Sequence, residues 1–313
     1  MPADLQRLRE AAAERWADFM MNGNFHAAWQ ESAWIESTGY KDPHRLWNGE
    51  SWHDKCVMVR CLHGLGDAIQ FIRYARLLRQ TCRSLIVQSH PELVEILRRV
   101  PGVDEAVTWN EREDSWDTQI EVMELPRLFH TSLTTIPADV PYIRLPSEQR
   151  EWAAARVPKT GRPNVGLVWQ ASSWNPKRSI PRSALLPLLQ QAEFCFYNLQ
   201  KEADDHIPGF HAGRGGALSL PETAALAEQM DLIISVDTMA AHLAGALARP
   251  VWILLPADAD WRWMRTRRDS PWYPTATLFR QQYRDNWPPV IDAVAESLTS
   301  LSARTFCGAM AGR

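Results

Sequence analysis

The sequence predicts an α/β chain built as two lobes, each around a mainly parallel sheet, with a short helical hairpin in front of them. Three observations predict it. At 313 residues the chain exceeds one ordinary α/β domain, since domains run to about 100–200 residues. Short apolar runs alternate with helical patterns in two separate rounds, the rhythm of βαβ units whose sheets are parallel. Between the rounds stands a charged stretch, 148–163, closing in Lys159-Thr160-Gly161-Arg162-Pro163, which reads as a helix followed by a linker.

Taken in order, residues 5–36 form two amphipathic patterns separated by Asn22-Gly23-Asn24, a helical hairpin. Gly23 followed by Phe25, Ala27, Ala28 and Trp29 resembles one tetratricopeptide unit, which cannot bury its own apolar face and must pack on a neighbour. After a turn-rich stretch, KCVMVR (55–60) and SLIVQS (84–89) read as strands, 68–79 and 91–100 as helices, and 106–109 as a third strand. The second round runs strand 164–169, helix 182–191, strand 194–199, helix 221–230, strand 231–236, helix 238–248, strand 251–255, with a last strand at 277–280 and a terminal helix at 290–301. The expected division is therefore a hairpin over 1–45, a first lobe over 46–155, a second lobe over 156–285, and a C-terminal helix and tail over 286–313.

Bulk composition narrows the function. The chain is 45% hydrophobic and 23% charged, as ordinary globular proteins are, and no run approaches the roughly 18 apolar residues of a membrane span. The N-terminus lacks the apolar core and cleavage site of a secretory signal, so a cytoplasmic location is expected. A formal net charge of -3 supplies no long-range attraction to polyanions and disfavours nucleic acid as a partner. Five scattered cysteines lack the paired short spacings of zinc or redox sites and read as reduced and structural. The 15 tryptophans suit core packing and equally suit stacking on sugar rings.

Open parallel sheets bind ligands beyond the carboxyl ends of their strands, so functional residues are sought in the turns there and in a cleft between the lobes. His63-Gly64-Leu65-Gly66-Asp67 follows a strand and opens a helix, where a dinucleotide fingerprint would sit. Ile69 replaces the third glycine, Asp67 would oppose a pyrophosphate, and the second strand ends without a ribose-binding acid, so hydride transfer is disfavoured. Asp67 suits two roles, a general base facing a ligand or an N-cap whose carboxylate accepts backbone N–H bonds at the helix start.

In the second lobe the strand DLIISV runs into Asp237-Thr238-Met239-Ala240-Ala241-His242. A helix starting there offers unpaired N–H groups and a positive dipole end for a diphosphate, with Thr238 and His242 four residues apart on one face. Asp237 would repel phosphate, and its role is to accept bonds from sugar hydroxyls or backbone. Ser172 and Ser173, then Lys177 and Arg178, follow the first strand of this lobe. They supply hydroxyls and cations for the charge that develops on a departing diphosphate, or else form a solvated basic loop. With no Asp-x-Asp pair to hold Mg²⁺, protein cations are expected to carry that charge and no metal is called for. Trp252–Gln281 is dense in Trp, Arg and Pro, as a ligand-lining segment is and as an indole–guanidinium packing motif is.

The stretches NGNFHAAW, HGLGDAIQFIRYARLL, PGVDEAV, VGLVWQASSWNPKRSIP, LIISVDTMAAHLAGALARPVWILLP and DWRWMRTRRDSPWYPTATLFRQ together resemble glycosyltransferase family 9, the heptosyltransferase-like group, and more closely the bacterial tetratricopeptide-linked glycosyltransferases. The resemblance implies a GT-B fold, two Rossmann-like lobes, with the acceptor on the first and the nucleotide-sugar donor on the second. It implies an inverting, metal-independent glycosyltransferase, moving a hexosyl or heptosyl group to an acceptor hydroxyl without a cofactor. Carried over by position, it makes Asp67 the catalytic base and places Ser172, Ser173, Lys177, Asp237, Thr238 and His242 at the donor. Arg178 joins them on its charge. Gly64, Gly66, Gln200, Trp261 and Arg262 complete the expected lining of the cleft. Met239 departs from the glycine common in the heptosyltransferase motif, so the donor is not assigned as ADP-heptose. The expected partners are a nucleotide-sugar donor and a protein or saccharide acceptor. The rival readings are a non-catalytic nucleotide-binding adaptor with a protein-binding hairpin, and a GT-B-fold nucleotide-sugar epimerase.

Overall fold

In a computed structural model, residues 3–111, 116–200, 209–210 and 218–310 of the chain are described. They form two compact units, the first comprising Met1–Arg144 with Ala259–Pro274, the second Leu145–Asp258 with Thr275–Arg313. The strand–helix alternation is present in both.

The first unit opens with α1 (Ala3–Met21) and α2 (Phe25–Ser37). The turn between them needs Gly23 at φ +74°, the left-handed region that glycine enters without strain, and the Asn24 side chain accepts the Ala27 amide to cap α2. The hairpin does pack on a neighbour, as its exposed apolar stripe requires. Met20, Phe25 and Ala28 are buried, the Trp29 indole donates to the Thr131 carbonyl at 2.9 Å, and Arg127 donates to Glu36. The sheet that follows contains β1 (Cys56–Arg60), β2 (Ser84–Ser89), β3 (Glu105–Thr108) and β4 (Thr118–Glu121), in the order β3-β2-β1-β4, all parallel. Val57, Met58 and Val59 are wholly buried, as the central strand of a parallel sheet must be. The crossovers carry α3 (Leu65–Phe71), a 3₁₀ turn over Ile72–Tyr74, α4 (Ala75–Arg79) and α5 (Pro91–Leu97). A second 3₁₀ turn, Val122–Glu124, and α6 (Leu125–Leu128) follow β4.

Residues 259–274, placed in the second lobe by sequence, cluster with the first unit instead. The reason is aromatic. Trp261 lies within 6.0–6.3 Å of Trp16, Phe25, Phe71 and Trp272, ring centre to ring centre, and buried Arg73 donates to the Trp272 carbonyl and to the Tyr142 hydroxyl. Burial of these rings outweighs chain proximity.

The second unit begins with α7 (Ser147–Ala154), packed on α9 (Leu220–Glu228), where the sequence division kept 145–155 with the first lobe. Its sheet holds β5 (Asn164–Val168), β6 (Cys195–Asn198), β7 (Leu232–Val236), β8 (Val251–Leu255) and β9 (Ala276–Arg280), parallel throughout, in the order β6-β5-β7-β8-β9. The remaining helices are α8 (Leu186–Leu189), α10 (Met239–Ala246) and α11 (Pro288–Met310). Val165, Leu167, Phe196 and Ile234 of the strands meet Ile291, Val294 and Leu298 of α11 in one core. Among the described residues no helix is long and apolar enough to cross a membrane.

Candidate active site

Each sheet has one place where consecutive strands part company. In the first unit the chain builds β2 and β3 on one side of β1 and then β4 on the other; in the second, β6 lies on one side of β5 and β7 on the other. Loops leaving such a pair diverge, one toward each face, and leave a crevice at the carboxyl ends of the strands. Asp67 follows β1. Ser172, Ser173, Lys177 and Arg178 follow β5, and Asp237, Thr238 and His242 follow β7.

In the first unit Asp67 sits at the third position of α3 and does two things. Its Oδ2 accepts the Gly64 amide at 3.1 Å, which caps the helix, and its Oδ1 accepts Nη1 of Arg262 at 2.7 Å. Asp67 is therefore not the N-cap weighed as the alternative, a position Gly64 holds, but a third-position carboxylate that closes back on the N-cap amide; this leaves a lone pair on each oxygen, since a carboxylate offers about four acceptor positions. Arg262 is buried and its Nε donates to Asp260 Oδ1 at 2.8 Å. Its guanidinium also lies over Phe71 and Trp261, at 5.5 and 5.7 Å. Gly64, Gly66, Trp261 and Arg262 thus share a unit with Asp67, and Arg262 is a holder of Asp67 rather than an open lining residue. Gly64 allows close approach, a Cβ there standing 3.2 Å from Asp67 Oδ2.

In the second unit the β5 and β7 turns converge on Asp237, which is 2% exposed. Arg178 Nη1 lies 3.4 Å from Asp237 Oδ2 and donates to its carbonyl at 3.2 Å. His242 Nε2 lies 3.8 Å from Oδ1. Thr238 is the residue before the first turn of α10, one position outside the helix expected over 238–248. Its hydroxyl does not cap the helix and instead meets Ser235 Oγ at 3.3 Å, so the start of α10 keeps amides for an anion. Lys177, Ser172 and Ser173 are exposed on the β5 loop. Gln200 is engaged with that loop. Its Oε1 accepts the Trp169 and Gln170 amides at 3.3 and 2.9 Å, and its Nε2 donates to the Gln170 carbonyl.

Two residues that the sequence reading did not single out belong with these groups, Arg280 having stood only within the Trp252–Gln281 segment. Arg280 ends β9. Burial pushes its guanidinium below the usual arginine range while the charge of Asp237 opposes that shift, so a second arginine besides Arg178 acts on this carboxylate. Glu121 ends β4, beside Asp67, and burial raises its carboxyl to about 8. Both are ionisable residues at carboxyl ends of parallel strands, the signal that singled out Asp237.

The family model "Glycosyltransferase family 9 (heptosyltransferase)" matches residues 110–288, more than half the chain. Protein FlbA of Caulobacter vibrioides is 24% identical over 305 residues, covering 84% of this chain and 50% of FlbA, so the chain spans about half the length of that curated relative. Among solved structures, the glycosyl transferase family 9 protein of Veillonella parvula superposes with a TM-score of 0.56 at 13% identity, over 74% of this chain and 87% of that one. The E. coli ADP-heptose lps heptosyltransferase II gives 0.56 at 15%, over 80% and 99%. E. coli heptosyltransferase WaaC with ADP-2-deoxy-2-fluoro heptose gives 0.52 at 12%, over 78% and 99%. At such identities the likeness is one of fold.

Proposed function

The chain belongs to glycosyltransferase family 9, with the α/β, GT-B-like fold of the heptosyltransferases it resembles, and on that premise we propose that it is an inverting, metal-independent enzyme. It moves a hexosyl or heptosyl group from a nucleotide-diphosphate donor to a hydroxyl of a protein or saccharide acceptor, with no cofactor beyond the donor. The observation that carries the reading is the convergence of Arg178, Asp237, His242 and Arg280 at the carboxyl ends of β5, β7 and β9, beside an uncapped helix start.

The acceptor oxygen attacks the anomeric carbon while its proton passes to Asp67, and the bond from that carbon to the diphosphate breaks on the opposite face, leaving the electron pair on the phosphate oxygen. Arg262 and the Gly64 amide hold the Asp67 carboxylate in one orientation, which is what a base needs to meet a hydroxyl in line. Lys177, Arg178 and the start of α10 receive the charge of the departing nucleoside diphosphate, with Ser172, Ser173 and Thr238 as neutral donors to it. Asp237 neutralises and aims Arg178 and accepts from sugar hydroxyls or from His242. The structural relative WaaC holds ADP-2-deoxy-2-fluoro heptose, which supports a nucleotide-diphosphate sugar as the donor class.

The test has two arms. After a screen of nucleoside diphosphates finds one that raises the melting temperature, calorimetry with Lys177→Ala, Thr238→Ala and His242→Ala is expected to show weakened binding of it. Unchanged affinity in all three would remove the site from the second unit. Asp67→Asn is expected to abolish sugar transfer with nucleotide affinity unchanged, and undiminished transfer would remove Asp67 from the mechanism.

A further inference from the structure

Glu121 is an acid that the reaction as derived does not use. It closes β4 at the point where that strand flanks β1, as the register partner of Arg60, and is 1% exposed. Its Oε2 accepts the Met123 amide at 2.6 Å, and the Leu62 amide also donates to the carboxyl. Its Oε1 is buried, has no hydrogen-bond partner among the described residues, and lies 4.0 Å from Nε2 of His63. Leu62 and His63 are the last two of the three residues, 61–63, through which the chain leaves β1 to enter the turn at Gly64. One side chain on β4 therefore grips the approach to Asp67.

We propose that Glu121 is a positioning residue for Asp67: from the end of β4 its carboxyl ties the Leu62–His63 exit of β1 to that strand and so holds the Gly64–Asp67 turn in shape. The proposal rests on Asp67 being the base. The groups facing Glu121 make a second negative charge there costly. Asp67 stands on α3 and Glu124 on the 3₁₀ turn after β4, and both raise the carboxyl, burial being the larger cause and the two backbone amides opposing it. Arg60 of β1 donates to Gln119 at 3.1 Å, and Arg45 is paired with Glu124 at 3.2 Å. The Cys61 thiol, pushed up to about 12 mainly by burial, adds no charge. The His63 ring faces Oε1, its Nε2 lying 4.0 Å away.

The pH dependence follows from linkage. In an opened turn the carboxyl meets water and ionises near the usual value of roughly 4.3, whereas in the closed turn it holds its proton to about 8. Opening therefore releases a proton within that window. Each pH unit favours the open form by up to about tenfold, and the effect levels off above the upper limit. The Gly64 amide, which donates to Asp67, is the reporter. Its hydrogen exchange is to be followed by NMR on the full chain between pH 5.5 and 9 and divided by the intrinsic base-catalysed rate. The wild-type protein is expected to lose protection by up to about tenfold per pH unit and to level off near 8, and Glu121→Gln, neutral throughout, to show no such slope. A wild-type trace without the slope overturns the proposal, as does the same slope in the variant. If Glu121→Gln does not fold, the wild-type trace decides alone. Full transfer by Asp67→Asn would refute the base assignment and leave the exchange result standing, so the two failures are told apart.

Discussion

Arg262 joins Asp67 to Asp260, and removing it should cost the first unit a large part of its stability. The guanidinium side chain is 8% exposed and its partners Asp67 and Asp260 are 22% and 25% exposed, so the carboxylates regain some water when the cation is lost. Each hydrogen bond to a charged group contributes about 1.5–3 kcal/mol, and with that partial rehydration the lower end applies, about 3 kcal/mol for the two. Lost stacking over Phe71 and Trp261 adds about 1 kcal/mol. Arg262→Ala is thus expected to destabilise by about 4 kcal/mol, which at about 2–4 °C per kcal/mol for a unit of this size lowers Tm by about 8–16 °C. Arg262→Lys keeps the charge, loses the fork that spans both acids, and should cost about half as much. The assay is guanidinium unfolding followed by tryptophan fluorescence, to which the buried Trp263 and Trp272 contribute. A double-mutant cycle with Asp67→Asn should give a coupling of about 1–2 kcal/mol. Additivity within about 0.3 kcal/mol would mean that the 2.7 Å pair is not an energetic contact, and the account of how Asp67 is held would fall.

Two further outcomes concern stability alone. Gly102 has φ +96° and a Cβ there would stand 2.7 Å from the Ala75 carbonyl oxygen and the Arg76 Cα, so Gly102→Ala should lower stability by about 2–4 kcal/mol in thermal melting; a cost below about 1 kcal/mol would show that the turn can move. For Glu121, whose carboxyl is raised to about 8 in the folded chain, unfolding releases a proton at intermediate pH, so wild-type stability falls as pH rises from about 5 to about 8 and then levels off. Glu121→Gln lacks that loss and should gain on the wild type by up to about 4 kcal/mol across the window, read as a Tm difference that grows from pH 5.5 to 8; a constant difference would refute it.

The elements with strong local signals were legible. Val57–Val59, Leu85–Val87 and Leu232–Ile234 are apolar runs with both faces buried, and the patterns between them are long enough for crossover helices. Strand β4 was not legible, because Thr118-Gln119-Ile120-Glu121 has no apolar run; it is a strand because the free edge of β1 requires a hydrogen-bonding partner. The loop after β5 and the start of α10 were legible as candidate positions because both follow apolar strands directly. Arg280 and Glu121 were missed for the converse reason. A charge at the end of one strand acquires meaning from what the adjacent strand carries, and that adjacency is set by topology.

What the sequence by itself determined is the α/β class, the two rounds of βαβ and the hairpin, all consequences of hydrophobic period and turn chemistry acting over a few residues. Tertiary structure alone decided that Trp261 to Trp272 join the first unit, that Arg262 holds Asp67, and that Glu121 lies under the turn carrying it. The physical reason is range. Periodicity and capping are local, whereas aromatic burial, ion pairing and the desolvation of a carboxyl act between atoms that are close in space though far apart in the chain, 195 positions in the case of Asp67 and Arg262.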